Sequence, residues 1–165
     1  DHKMACPLAE AELPPKQRRK QFVTEEMHRQ LVERCRSNRW SRRFRQMLIM
    51  LWHSGARPGE LSSVTIANLL PDCSAIVLDK TRKKVDRDRV VYLSACGQTL
   101  AKILRFYSDG KPDSLLLPNV QGKKYTINAI RIRMKRLRSD LGFEKITAYA
   151  YRHGFVTKAL QADVP

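Results

Sequence analysis

From Phe44 onward, Phe44, Met47, Leu48, Leu51 and Trp52 recur at three- and four-residue intervals, which on a helix gathers them into one wide apolar stripe. A stripe that wide is buried only against other elements, so a packed domain is the expectation. The polar face of the same helix carries Arg42, Arg43 and Arg45. The pattern predicts a helix that follows Ser41 and stops near Ser54-Gly55, and Pro58 suits the first turn of a short helix reaching about Ile66.

Further helices are signalled on either side. Thr24 can cap a helix that runs to about Ser37, with Glu25 and Glu26 at its positive end and Met27, Leu31 and Cys35 on one side. Ser94 can cap another with Leu100, Ile103, Leu104 and Tyr107 inward. Thr126 can cap a fourth with Ile127, Ile130, Met134, Leu137 and Leu141 inward, and Arg131, Arg133, Lys135, Arg136 and Arg138 on its outer side. A last helix, roughly Ala148 to Ala162, places Phe155, Val156, Ala159 and Leu160 at helical spacing. Between Pro71 and Ser94 the period changes. The β-prone runs Ala75–Leu78 and Val90–Leu93 flank the charged connection KTRKKVDRDR, which reads as a β-hairpin with a long basic tip. The expected fold is therefore α+β, mainly α-helical, with one small antiparallel sheet.

A chain of 165 residues suits one compact domain that needs neither disulfides nor a structural metal. Residues 1–22, with adjacent prolines and the basic run Lys16, Arg18, Arg19 and Lys20, show no sustained periodicity and are expected to form a flexible basic arm. Residues 23–165 form the folded part. The formal charge of +16, from 32 Lys and Arg against 16 Asp and Glu, points to a polyanionic partner. No apolar run is long enough to span a bilayer and no leader opens the sequence, so a soluble, cytoplasmic protein is expected. Cys6, Cys35, Cys73 and Cys96 stand singly and the histidines lack ligand spacing with them; free buried thiols and no metal are the expectation.

Three positively charged positions invite a chemical reading. Arg57, in SGARPGEL, is taken alone a surface arginine bridged to Glu60. Arg152, in YAYRHGF, sits beside an apolar helix face where a guanidinium needs an anion, either an internal carboxylate or a ligand. Lys80 stands where the first strand meets the hairpin tip, among Arg82, Lys83, Lys84 and Arg87, and alone reads as part of a solvated basic loop. Their order carries more than any one of them. GxRxxEL after an apolar helix, a hairpin bearing a lysine, a basic helix and then arginine-histidine on a late helix closely resemble the catalytic domain of the tyrosine recombinases, the phage integrase family.

The resemblance extends from about QFVTEEMHRQLVE to YRHGFVTKAL. It implies that Arg57 and Arg152 are the two catalytic arginines and Lys80 the hairpin lysine, with Lys83 and Lys84 as alternatives. Tyr149 stands where the family most often has histidine; Glu60 and His153 would be supporting residues. Guanidinium forks suit the charge that builds on non-bridging phosphate oxygens, and a lysine suits protonation of the leaving oxygen. Tyr149 can hydrogen-bond a phosphate but cannot carry a proton near neutrality as imidazole does. The family's tyrosine nucleophile lies beyond the second arginine, and no tyrosine follows Arg152, so the chain reads as a fragment that binds DNA without cleaving it alone.

The implied protein is a site-specific recombinase working without a cofactor, through a 3′-phosphotyrosine, as a multimer (a tetramer on DNA) in the bacterial or phage nucleoid. Lys16, Arg18, Arg19, Lys20, Arg42, Arg43, Arg131, Arg133, Lys135 and Arg136 are the candidate contacts to double-stranded DNA. The competing expectations are a non-catalytic nucleic-acid-binding module and a type IB topoisomerase-like domain.

Overall fold

The computed structural model describes residues 21–37, 39–78 and 89–161. Across them run α1 (Glu25–Arg34), α2 (Arg39–Ser54), α3 (Pro58–Leu61), β1 (Ala75–Leu78), β2 (Arg89–Tyr92), α4 (Ala95–Tyr107), α5 (Ile127–Asp140) and α6 (Tyr149–Gln161). The fold is mainly helical with a small antiparallel two-stranded sheet, as the patterning predicts. Ala75 pairs with Tyr92 and Leu78 with Arg89. The charged arm residues Lys16, Arg18, Arg19 and Lys20, and the hairpin tip with Lys80, Lys83 and Lys84, lie outside the described residues.

The axis of the core is α2. Phe44, Met47, Leu48, Met50 and Leu51 are buried, and α1, α4 and α6 all pack against it. The predicted caps form. Thr24 Oγ1 accepts from Met27 N at 3.3 Å, Ser94 Oγ from Gly97 N at 3.4 Å and Thr126 Oγ1 from Ala129 N at 3.1 Å. Each satisfies one otherwise orphaned amide, a contribution of about 1 kcal/mol. The start of α2 differs from expectation: the helix begins at Arg39, before Ser41. The short helix after Pro58 is also shorter, ending at Leu61, with a separate turn of 3-10 helix at Ile66–Asn68.

The inward face of α4 is rotated from the predicted one, and on α6 the structure decides a buried side that the spacing leaves open. On α4 the buried residues are Gly97, Ala101 and Leu104, while Ile103 and Tyr107 are exposed. Small residues let α4 approach α2 closely: a Cβ on Gly97 would lie 3.1 Å from His53 Cβ. On α6 the buried side is Ala150, Tyr151 and Gly154, while Val156 and Leu160 are exposed and Phe155 is half-buried. A Cβ on Gly154 would lie 2.9 Å from the Val23 carbonyl, so the extended segment before α1 rests directly on this helix. On α5 Ile130, Met134 and Leu137 are buried as expected, but Ile127 is exposed. Cys35 and Cys73 are free and buried; Cys96 is free but exposed, against expectation, and Cys6 lies outside the described residues.

An aromatic latch fixes α6 against α1 and α2. His28 stacks on Trp52 with ring centroids 4.6 Å apart and planes 3° from parallel, and Lys158 Nζ lies 3.8 Å from the Trp52 ring centre. Trp52 thus has both a stacked ring and a cation against its indole. His28 Nδ1 also meets the fully buried Tyr151 hydroxyl at 3.2 Å. Burial, then the charges of His53 and Lys158, pull the His28 imidazole down to about 4 from an ordinary 6.5.

A histidine depressed in the folded state binds its proton more readily when unfolded, so stability is complete above the unfolded value and is lost as the pH falls from about 6.5 through about 4. We expect the urea midpoint to fall over that range in the wild-type chain and to fall less in His28→Gln, as followed by far-UV circular dichroism. Equal slopes in both would show that other groups set the acid sensitivity.

Candidate active site

At the C-terminal end of α2 the chain makes a tight reversal. Ser54 Oγ donates to the Met50 carbonyl at 2.7 Å and accepts from Ala56 N at 3.2 Å, while Gly55 adopts φ +58°. A left-handed residue ending a helix favours glycine, which lacks the Cβ that makes this conformation costly. Pro58 then opens α3 at a position where no amide donor is missed. Arg57 is thereby held in the N-cap position of α3, and Glu60, three residues on, folds back over it.

Glu60 is the centre of the site. Its side chain is only 9% exposed and it accepts from several donors. Arg57 Nη1 reaches Oε1 at 2.7 Å and Arg57 N reaches Oε2 at 3.2 Å. Arg89, at the first position of β2, approaches both oxygens: Nη1 to Oε1 at 3.3 Å and Nη2 to Oε2 at 3.0 Å. The hydrogen bond and charge of Glu60 raise the Arg57 guanidinium above its ordinary value. The expected Arg57–Glu60 bridge is therefore present, though around a largely buried carboxylate. Arg89, read from the sequence as part of the basic tip, is in the strand and joins the same carboxylate.

Arg152 enters from α6. Its Nη1 donates to the Gly55 carbonyl at 2.8 Å, which ties α6 to the turn two residues before Arg57. Among the described residues no carboxylate lies within ion-pair distance of it. Burial, followed by the charges of Arg89 and Arg57, pulls Arg152 below the ordinary arginine value. Among the described residues, Arg57, Arg89 and Arg152 thus share one neighbourhood with one carboxylate, that of Glu60, an excess of positive over negative groups there. Tyr149 opens α6, half-exposed, and its phenol is close enough to act on Arg57 electrostatically. It also lines a hollow of about 620 Å³ with Pro58, Ile127, Arg131 and Lys135.

The remaining sequence-predicted positions divide. His153 is exposed, and its ring makes no hydrogen bond to a described residue. Lys80 lies outside the described residues, two positions after β1 ends at Leu78. Arg42 and Arg43 are exposed and border a hollow of about 290 Å³ with Gln46 and Val120. Arg131, Lys135 and Arg136 are exposed on α5, with Arg131 Nη2 donating to Asn128 Oδ1 at 2.8 Å. Arg133 departs from the predicted outer face: it is half-buried, with its guanidinium 5.5 Å from the Tyr125 ring centre and 5.9 Å from that of Phe44. Of the tyrosines, Tyr125 and Tyr151 are core residues, whereas Tyr92, Tyr107 and Tyr149 are exposed. Among the described residues no helix is long and apolar enough to cross a membrane, and no cluster of three metal-ligating side chains occurs.

The phage integrase family model matches residues 21–165. No curated protein shows significant similarity to the chain. Among solved structures, XerA recombinase superposes with a TM-score of 0.67 at 23% identity, over 93% of this chain and 54% of its own. The Tn1549 transposon integrase in complex with circular intermediate DNA gives 0.73 at 16% identity, over 93% and 56%. XerH site-specific recombinase bound to difH substrate gives 0.64 at 23% identity, over 88% and 44%. The chain thus spans roughly half the length of these structures.

The Gly55 turn is the joint between α2, Arg57 and Arg152. A Cβ there would lie 3.0 Å from Phe155 Cβ and closer still to its ring, besides adopting a left-handed conformation. Gly55→Ala should therefore destabilise the fold by about 2–4 kcal/mol in urea unfolding, part strain and part overpacking. Adding Phe155→Leu should recover part of that loss; no recovery would assign the whole effect to the backbone.

Proposed function

The chain belongs to the phage integrase family, and on that premise we propose that it is the part of a site-specific DNA recombinase that binds duplex DNA and grips the scissile phosphodiester. The observation that carries this reading is that Arg57 and Arg89 meet on one carboxylate while the nearby Arg152, among the described residues, is bonded to a backbone carbonyl and not to a carboxylate. Adjacent guanidiniums repel one another, and an anion placed among them relieves that repulsion. A phosphodiester under attack acquires charge on its non-bridging oxygens, and planar N–H forks bind those oxygens in pairs while staying protonated. Arg57 and Arg152 supply the two sides of that grip.

The other roles follow from position and chemistry. Lys80, close after β1, would protonate the departing 5′ oxygen; Lys83 and Lys84 are the alternatives. Tyr149 would hydrogen-bond the phosphate through its phenol rather than shuttle a proton. The attacking tyrosine would come from a segment outside this chain, making a 3′-phosphotyrosine in a multimer assembled on DNA. No cofactor is needed for that exchange, because the phosphodiester energy is retained in the protein-DNA bond. His153, exposed at the surface, would contribute support from outside the grip. Exposed Arg42, Arg43, Arg131, Lys135 and Arg136, with the arm residues Lys16, Arg18, Arg19 and Lys20, would neutralise backbone phosphates. Arg133 would act less directly, since its guanidinium packs over aromatic rings.

A non-catalytic nucleic-acid-binding module is the second reading, favoured by one fact: Arg57 is already engaged by Glu60. The two separate in the full-length protein. Arg57→Ala and Arg152→Ala should each cut strand rejoining by about a hundredfold or more while changing duplex affinity by less than about threefold. If both instead lower affinity as much as Lys135→Ala does and leave rejoining intact, the module reading prevails.

Electrostatic binding has a signature of its own. With about six to ten phosphates neutralised, affinity of the chain for duplex DNA should drop about 10³ to 10⁵-fold between about 50 and 200 mM salt. Fluorescence anisotropy with a labelled duplex measures it, and a nearly flat salt dependence would remove DNA as the principal partner.

A further inference from the structure

Glu60 presents a difficulty for the proposed grip. A carboxylate 2.7 Å from Arg57 and only 9% exposed would, left alone with that arginine, neutralise it and hold its fork. The structure resolves this through Arg89. Arg89 takes the carboxylate with two nitrogens, Nη1 on Oε1 and Nη2 on Oε2. Arg57 touches the same group with one guanidinium nitrogen and its backbone amide. The side-by-side pairing thus belongs to Arg89, and Arg57 keeps further N–H donors.

We propose that Arg89 is a positioning residue for the phosphodiester reaction: by pairing with Glu60 it keeps the charge and the remaining donors of Arg57 available to a phosphate. The inference rests on the assignment of Arg57 as a phosphate ligand. Arg89 acts through Glu60 and needs no contact with the DNA. Its place at the first residue of β2, paired with Leu78 of β1, gives it a second consequence. The ion pair fastens the base of the hairpin to α3, so the strand that leads toward Lys80 and the turn that carries Arg57 are held in one register.

Loss of Arg89 would leave Glu60 to pair with Arg57 alone, and the site would lose one positive charge while retaining the negative one. Removing the negative charge as well should then restore what the first change took away. A residue that merely braces the fold, or one that touches phosphate itself, would not behave this way.

The test is single-turnover cleavage of a suicide duplex by the full-length protein, with duplex affinity measured alongside. Arg89→Ala should slow cleavage by about tenfold or more with affinity altered less than about threefold, and in a Glu60→Gln background the same substitution should slow it by less than about threefold. Arg89→Lys, which keeps the charge without the fork, should fall between wild type and Arg89→Ala. Equal slowing in both backgrounds overturns the proposal, as does an Arg89→Ala enzyme of wild-type rate. If Arg89→Ala does not fold by near-UV circular dichroism, Arg89→Lys in the two Glu60 backgrounds gives the same comparison. Arg57→Ala is the control: if that variant cleaves normally, the phosphate grip itself is wrong, whereas an inactive Arg57→Ala with no dependence of Arg89 on Glu60 rejects only the role given to Arg89.

Discussion

A single carboxylate organises the region around the turn after α2. Glu60 is too little exposed to be left to water, and a charge so placed must be met by partners or it destabilises the fold. Its partners come from two distant stretches of sequence, the backbone and side chain of Arg57 and the fork of Arg89. The same interaction caps α3, fixes the direction of Arg57 and anchors the sheet to the helical layer. Exchange of the carboxylate for an apolar side chain would leave two guanidiniums facing each other with nothing between them, so this is a place where helix, sheet and site depend on one charge.

The position of Arg152 depends on the core. Tyr151, its neighbour in sequence, is fully buried, and its hydroxyl meets His28, which in turn lies on Trp52. Lys158, on the same helix as Arg152, also lies over that indole. Rotation of α6 about its axis would disturb this latch together with the bond of Arg152 to the Gly55 carbonyl. Rigid packing of that kind is what the proposed phosphate grip would require of Arg152. The neighbouring His153 shows the contrast, since the same helix turns it out to solvent.

How far the sequence discloses this depends on how local the signal is. Caps at Thr24, Ser94 and Thr126 are legible because a hydroxyl and an amide three residues later are all that is required. The stripe of α2 is legible because large apolar residues mark it. The inner sides of α4 and α6 are not, because Gly97, Ala101, Ala150 and Gly154 make close contacts with little side chain, and counting large residues points to Ile103, Val156 and Leu160 instead. Arg133 illustrates the same limit: a basic residue on a basic helix reads as solvated, yet two aromatic rings from other elements lie beneath its guanidinium. Arg57, Arg152 and Glu60 are singled out by the order of motifs. Arg89 was missed because its pairing with Glu60 joins residues far apart in sequence, and the one local clue was an arginine abutting the β-prone run that follows it.

The electrostatics of the cluster also bear on why arginine serves there. Burial and two neighbouring guanidiniums all disfavour the charge on Arg152, and Glu60 offsets them only in part. A lysine in the same surroundings would tend to lose its proton, because an ammonium is readily neutralised by desolvation, whereas a guanidinium starts so far above neutrality that a downward shift leaves it charged. The arrangement can therefore hold excess positive charge in a partly buried place at neutral pH. Such a site contributes little to stability, and in the proposed function the interaction withheld during folding would become available to the phosphate.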